Sequence, residues 1–379
     1  MNPFADLPDA LVRDLLAKAI PVATAVSDNL RLLGSERAPL RSEAQANGLI
    51  CRKADLDVPR EPSVAGIDGS YQVHHLTAID LCASAAVAVE GTTKEAKRFW
   101  PQPYHEMWVD SITHEIDTIG VLRGMMISME LNLAHKAPHD VVMLDCSFTS
   151  LVIYLNQGLQ NLASCGPGLC AEFLSRWNSG ILQQLLALLK SDRTVAIPKF
   201  TSRNELVRNR ATELPVQVDG KTLATLLLEA GEYTKCLPVL EQGEKYHLLR
   251  EVAVDGKKID LCKESDVSEM NVALHDLAVV YFRPYGWLPA LRLELPGSVA
   301  KSKTKLSLIL EGVQRQVFSP AVIEPYPLFL ADRMVKSLGA GVTVIEQSVA
   351  QHVVANSTDI ETTMLCLQNY RTEGGRGGA

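Results

Sequence analysis

Apolar residues recur at helical spacing at the start of the chain. Leu7, Leu11, Leu15, Leu16, Ile20 and Val22 predict a helix over residues 4–34, with Ser27 or Asp28 placed to cap a second segment through Leu33. We take residues 1–50 as an N-terminal helical arm. The pattern changes at 64–90, where VAGIDGSYQV and LTAIDLCASAAVAVEG, rich in Val, Ala and Ile with polar breaks, predict two strands in hairpin relation. Over 111–135, Ile112, Ile116, Ile119, Leu122, Met126, Met129 and Leu133 fall on one side of a predicted long helix, which His135-Lys-Ala-Pro closes. VVMLDCSF at 141–148 follows a Pro-His-Asp turn and is too short for a helix, so it predicts a buried strand. A helix is expected over 169–190 and a strand at TVAIPKF, 194–200. Residues 201–272 are more polar and read as an insertion or subdomain, with a short strand in YHLLREV and a turn at VDGKK. Strands in LAVVYFRPY and LPALRLELP occupy 277–296, a helix opens after PYPL at 325–328, and 371–379 is a glycine-rich, flexible tail.

Composition narrows the choice of function. With 47% hydrophobic and 21% charged residues the chain can bury a sizeable core, which excludes global disorder. Lys+Arg number 37 against 44 Asp+Glu, a net charge of −7, which argues against coating nucleic acid or membranes by bulk charge. No stretch approaches the roughly 18 apolar residues of a spanning helix; ILQQLLALLK at 181–190 is broken by glutamines. The opening MNPFADLPDALVRDLL carries early acidic residues and no apolar signal core, so a cytoplasmic protein is expected. Eight cysteines without a CxxC pair suit reduced, buried thiols, and Cys165 and Cys170 in CGPGLC lack the second pair a zinc site needs.

Three carboxylates carry candidate chemistry. Asp68 in VAGIDGSY and Asp145 in VVMLDCSF sit in or at the end of buried-strand candidates, where an unpaired carboxylate is costly, and Glu130 lies between them on the long helix. Converging, they would suit one or two hard cations such as Mg²⁺ or Mn²⁺, and a metal pair about 4 Å apart serves phosphodiester cleavage. The competing reading is that Asp68 begins a D-G turn, Glu130 faces solvent and Asp145 caps the following helix.

The order of motifs resembles the NurA nucleases. GIDGSY is followed by Arg123, Glu130 and Ala134 in an R-x6-E-x3-A pattern, then by a strand ending in LDCS; IPKFTSRNEL (197–206), YFRPY with LRLELP, and EPYPLFLADRM (324–334) resemble the later family motifs. The resemblance covers roughly 60–350. It implies an α/β fold, an RNase H-like mixed-sheet core with flanking helices, and a metal-dependent DNA nuclease, usually using Mn²⁺. It further implies a dimer docked on a HerA-type hexameric ATPase, in DNA-end processing or antiphage defence. Carried over by position, Asp68, Glu130 and Asp145 match the family's metal-binding carboxylates and Lys199 a basic residue near the site. Where the family pattern PYPLxxAH has histidine, this chain has Asp332. Aspartate can bind a hard cation but cannot act as a neutral imidazole near pH 7. That departure leaves open a catalytically weak dimer that regulates or completes the ATPase; a carboxylate-lined phosphatase is a third reading.

An acidic nuclease needs local basic patches to hold a polyanion. Candidates are Arg203, Arg208 and Arg210, and the alternate lysines Lys301, Lys303 and Lys305, which would share one face of an extended segment. Trp100, Tyr104 and Trp108 suit either base stacking or packing in a core or dimer. GKT at 220–222 is no phosphate loop, because Pro215 occupies the position of its first glycine. His135 and His139 are separated by Pro138, which breaks the helix that would align them, and no GxSxG marks a serine nucleophile.

Overall fold

The computed structural model describes residues 7–368 apart from 59, 94–97, 116, 201–202, 209–216 and 255. It opens with α1 (Asp9–Ala46), β1 (Ile50–Arg52), β2 (Val64–His75), β3 (Asp80–Glu90), β4 (Tyr104–Ile112), α2 (Thr118–Lys136), β5 (Val141–Leu144) and α3 (Phe148–Gln160). There follow α4 (Pro167–Arg176), α5 (Leu182–Leu189), β6 (Thr194–Ala196), α6 (Glu205–Arg208), α7 (Gly220–Leu227), β7 (Glu232–Thr234), β8 (Leu237–Pro238), β9 (Glu251–Val254), β10 (Lys257–Asp260) and α8 (Glu264–His275). The last elements are β11 (Ala278–Arg283), β12 (Leu291–Leu295), α9 (Gly297–Ala300), α10 (Lys303–Arg315), α11 (Tyr326–Lys336), α12 (Leu338–Asn356) and α13 (Ile360–Cys366).

One mixed sheet organises these elements in the order β1-β7-β11-β12-β6-β5-β2-β3-β4, with β8 also on β11. Strands β2, β5 and β6 run parallel at its centre, and the other pairings are antiparallel. Both faces are covered, which explains why β5 reads as an unbroken apolar run. Val142 and Leu144 point into the core shared with α2 to α5, whereas Val141 and Met143 join the core beneath α10 and α11. The 205–275 stretch contributes β7 and β8 to the main sheet and carries the separate β9–β10 hairpin.

Three expectations are corrected. The helix expected over 111–135 begins at Thr118, and Ile112 instead ends β4, an edge strand paired with β3 from Ala88↔Tyr104 to Asp80↔Ile112; Ile116 lies outside the described residues. The helix expected over 169–190 is interrupted by a wide turn at 177–181, where Gly180 takes φ 105°, a left-handed value that favours glycine. Lys301, Lys303 and Lys305 do not share an extended segment: Lys301 follows α9, and the other two open α10.

Candidate metal centre

Parallel pairing of β2 with β5 aligns Ile67 with Leu144, and the Asp145 N–H donates to the Ile67 carbonyl at 3.3 Å. Asp68 and Asp145 are therefore neighbours at the C-terminal ends of adjacent parallel strands, where open α/β sheets form their crevices. Asp68 lies within β2 and begins no turn. Residue alternation puts it on the face covered by α11, which delivers Asp332 two turns after Pro325. Carboxylate oxygens of Asp68, Asp145 and Asp332 all lie within 4.8 Å of one another.

Glu130 approaches from α2 on the opposite face. It is only 3% exposed, so it does not face solvent, and it lies outside the aspartate trio. Two glycines permit this convergence. A Cβ on Gly69 would meet Glu130 Oε1 at 2.5 Å and Met126 Cγ at 2.6 Å; one on Gly66 would meet the Leu328 backbone nitrogen at 2.6 Å. The GxDG spacing thus opens one face of β2 to α11 and the other to α2.

Lys199, just beyond β6, bridges the acids. Its Nζ lies 2.7 Å from Asp145 Oδ2 and 3.2 Å from both Glu324 Oε2 and Asp332 Oδ2, while Lys336 Nζ pairs with Asp332 Oδ1 at 3.1 Å. Burial, followed by repulsion from Asp145 and Glu130, pushes Asp68 up to about 9. Burial, then Asp145, pushes Glu130 up to about 8, against a hydrogen bond from the Gly69 backbone. Asp332 moves the other way: burial opposes ionisation, but hydrogen bonds and charge from Lys336 and Lys199 outweigh it. Crowded carboxylates, all oxygen donors and mutually repelling, form a donor set suited to a hard divalent cation.

Asp145 does not cap α3. That position belongs to Ser147, and the helix start is held by Glu294 of β12, which accepts from Ser147 Oγ at 2.7 Å and from the Phe148 N–H at 2.8 Å. Glu294 is paired in turn with the wholly buried Arg292, whose other arm reaches Glu205 at 2.5 Å; Tyr281 donates to Glu205 at 2.9 Å. This buried network fixes the loop that carries Asp145. Sequence reasoning missed it, and missed the approach of Glu324 to Lys199, because both join distant segments. A solitary arginine flanked by apolar residues in LRLELP was the available signal.

The centre opens into a cleft of about 1240 Å³ whose lining includes Ser70, Thr149, Tyr154, Phe200 and Arg203. Phe200 is 94% exposed. Arg203 donates to Tyr246 Oη at 2.8 Å and pairs with Glu244 at 3.4 Å. Arg208 ends α6, and Arg210 lies outside the described residues. Lys301, Lys303 and Lys305 do not line the cleft; Lys301 pairs with Asp276, and Lys305 with Asp192 at 3.1 Å. Lys221 of the GKT segment donates to the Lys199 carbonyl at 3.0 Å. Trp100 is buried, stacked on Tyr104 at 5.0 Å and edge-on to His139 at 4.5 Å. No helix among the described residues is long and apolar enough to cross a membrane.

No curated protein matches this chain. Among solved structures, the NurA nuclease from Sulfolobus solfataricus superposes with a TM-score of 0.60 at 14% identity, over 91% of this chain and 98% of that one. A NurA solved with manganese superposes with a TM-score of 0.51 at 13% identity, over 90% of this chain and 99% of that one. The mixed-sheet α/β core with flanking helices, expected from the resemblance, is the fold observed. The NurA domain itself is matched over residues 62–337, and on that match the chain belongs to the NurA family.

Proposed function

We propose that the protein is a metal-dependent deoxyribonuclease. The observation that carries this reading is the convergence of Asp68, Asp145 and Asp332, from two parallel strands and a helix, within 4.8 Å at the floor of an open cleft. Family membership and the manganese in a NurA of similar fold support it. The three aspartates, with Glu130 from the other face, would hold one or two Mn²⁺ or Mg²⁺ ions. When bound, such an ion supplies Lewis acidity to the scissile phosphate and lowers the pKa of a water. Lys199 would exchange its carboxylates for a phosphate oxygen, and the exposed Phe200 would stack on an unpaired base. Arg203 offers a cation along the cleft wall, with Arg208 and Arg210 following it in sequence. Lys301, Lys303 and Lys305 would act, if at all, on DNA outside the cleft.

The nuclease unit in this reading spans 60–350, with 201–272 elaborating it and 1–50 as an arm. Leu11, Leu15, Leu16, Ile20, Val26 and Leu30 of α1 are exposed, which favours a homodimer or a HerA-type hexameric ATPase as the partner covering them. DNA-end processing and antiphage defence both fit such a cytoplasmic assembly. A second reading, a catalytically weak partner of the ATPase, is favoured by Asp332 standing where the family pattern has histidine. Linear DNA with Mn²⁺, assayed with the intact protein and with Asp68→Ala and Asp145→Ala, decides between them. Cleavage abolished in both variants is expected. Equal cleavage by all three proteins overturns the site, and no cleavage by the intact protein, with or without the ATPase, favours the second reading.

A further inference from the structure

A second cluster of metal-ligating side chains lies at the far end of the β2–β3–β4 meander. His75 ends β2, Asp80 begins β3 directly opposite it in the antiparallel register, and His114 follows β4 by two residues. Nδ1 of His75 and Nδ1 of His114 lie 2.6 and 2.7 Å from the same oxygen, Oδ1 of Asp80. The Asp80 side chain is only 2% exposed, whereas both imidazoles are about half exposed. A buried carboxylate thus has two imidazole nitrogens aimed at one of its oxygens, one from the end of β2 and one from the segment after β4.

The backbone partner of His114 is the second observation. Its Nε2 faces the Thr77 carbonyl at 3.3 Å, an acceptor that calls for a proton on Nε2. A neutral ring protonated there presents a bare Nδ1 lone pair to the Asp80 oxygen, and two acceptors at 2.7 Å repel. Either a second ring proton, which makes an imidazolium paired with Asp80, or a metal cation between Nδ1 and Oδ1 removes the conflict, and the metal alone would join both imidazoles to the carboxylate through one ion. Nε2–H donating to a backbone carbonyl, with Nδ1 free to ligate, is the usual outer-shell arrangement of a metal-bound histidine.

We propose that His75, Asp80 and His114 form a transition-metal site of the zinc class, separate from the carboxylate centre. Two imidazoles and one carboxylate select a borderline ion such as Zn²⁺ over the hard Mg²⁺ or Mn²⁺ suited to an all-oxygen site. Ligands on a tetrahedral Zn²⁺ stand about 3.3 Å apart, so the two imidazoles swing outward by a little over half an ångström, which their exposure on strand ends permits. Three protein ligands leave one position to solvent. The ion would pin the β2–β3 turn to the segment after β4. That turn already holds the C-terminal segment, through Thr77 N–H to the Gln368 carbonyl at 2.7 Å and Ala78 N–H to the Cys366 carbonyl at 3.0 Å. The inference does not depend on the nuclease reading.

The test uses the full chain, stripped with EDTA and titrated with Zn²⁺ in excess Mg²⁺, with bound zinc measured by elemental analysis and Co²⁺ absorption as a spectroscopic probe. One zinc per chain is expected in the intact protein and in Asp68→Asn/Asp145→Asn. His75→Gln/His114→Gln, which changes only half-exposed side chains, should bind at least ~10-fold more weakly and lose the Co²⁺ band. Asp80→Asn should do the same, with circular dichroism reporting whether that buried change keeps the fold. Zinc binding unchanged in the double histidine variant, or no zinc bound by the intact protein, overturns the proposal. So does zinc that disappears only with the carboxylate-centre variant.

Discussion

Lys199→Met tests the electrostatics of the carboxylate centre. In the metal-free protein this ammonium is the only cation facing Asp145, Glu324 and Asp332 together among the described residues. Removing one partner of a buried ion pair costs about 3–5 kcal/mol. The Lys199 side chain is 27% exposed, so solvent screening reduces this to about 2 kcal/mol. For a chain of this size that is a fall in Tm of about 2–3 °C in EDTA. A divalent ion held by the aspartates supplies the missing positive charge, so saturating Mn²⁺ should shrink the difference to less than half. The thermodynamic cycle then requires the variant to bind Mn²⁺ more tightly, by the roughly 1–2 kcal/mol by which the gap closes, or about tenfold. Thermal scans in EDTA and across a Mn²⁺ series, with calorimetric titration of each protein, measure both sides of the cycle. An equal Tm penalty with and without Mn²⁺, or unchanged Mn²⁺ affinity, refutes the reasoning, because the ammonium and the metal would then not share their carboxylates.

Three further outcomes are expected. Gly69→Ala and Gly66→Ala should each destabilise by about 1–3 kcal/mol in urea through overpacking. Gly66→Ala should weaken Mn²⁺ binding more, because it meets the backbone of α11 and displacing that helix displaces Asp332 of the aspartate trio, whereas Gly69→Ala first meets the Glu130 and Met126 side chains, which lie outside the trio; equal Mn²⁺ affinity in the two variants would contradict the two-face account of β2. Glu232, held by Arg41 at 2.7 and 2.8 Å, has its proton affinity lowered chiefly by that hydrogen-bonded pair. Its contribution is present above the unfolded carboxylate value near 4.3 and is lost as pH falls through the lower folded value. Glu232→Gln should therefore cost about 1.5–3 kcal/mol at pH 7, with the gap from the intact protein closing below about pH 4; a gap independent of pH would show that the pair is not its source. Phe200→Ala, at an almost fully exposed position, should leave Tm unchanged while weakening binding to single-stranded DNA by about 1–3 kcal/mol; unchanged binding removes Phe200 from the DNA path.

The order and chemistry of the centre were legible in the sequence to the extent that its residues interrupt apolar runs. Asp68 and Asp145 end or punctuate buried strands, and Glu130 sits in a helix apolar nearly all round, where burial of its carboxylate follows from the company it keeps. The edge strand β4 was not legible. YHEMWVDSI is charged and only partly buried, so it carries no clean alternation, and the apolar residues that follow it extended the helical reading back across the turn. α1 runs to Ala46 through Pro21 and Pro39, past the point where the apolar stripe fades, so neither the stripe nor the prolines locate its end.

What local pattern could not supply is pairing across distance. Glu294 reaches Phe148 across 146 residues, and Arg292 reaches Glu205 across 87. Each looks, in its own segment, like a polar residue on a strand. The same limit applies to Gly66 and Gly69. Their spacing around Asp68 is visible as a motif, yet the reason for it exists only once a helix lies on each face of β2. Asp68 belongs to a strand that two helices approach closely, α11 by its backbone at Gly66 and α2 by its Glu130 and Met126 side chains at Gly69, one bringing Asp332 and the other Glu130. A side chain at either glycine would hold one of those carboxylates away. The glycines are therefore as much a condition of the charge cluster as the acids themselves, and the small-residue spacing and the acidic residues of GIDGSY are two parts of one requirement.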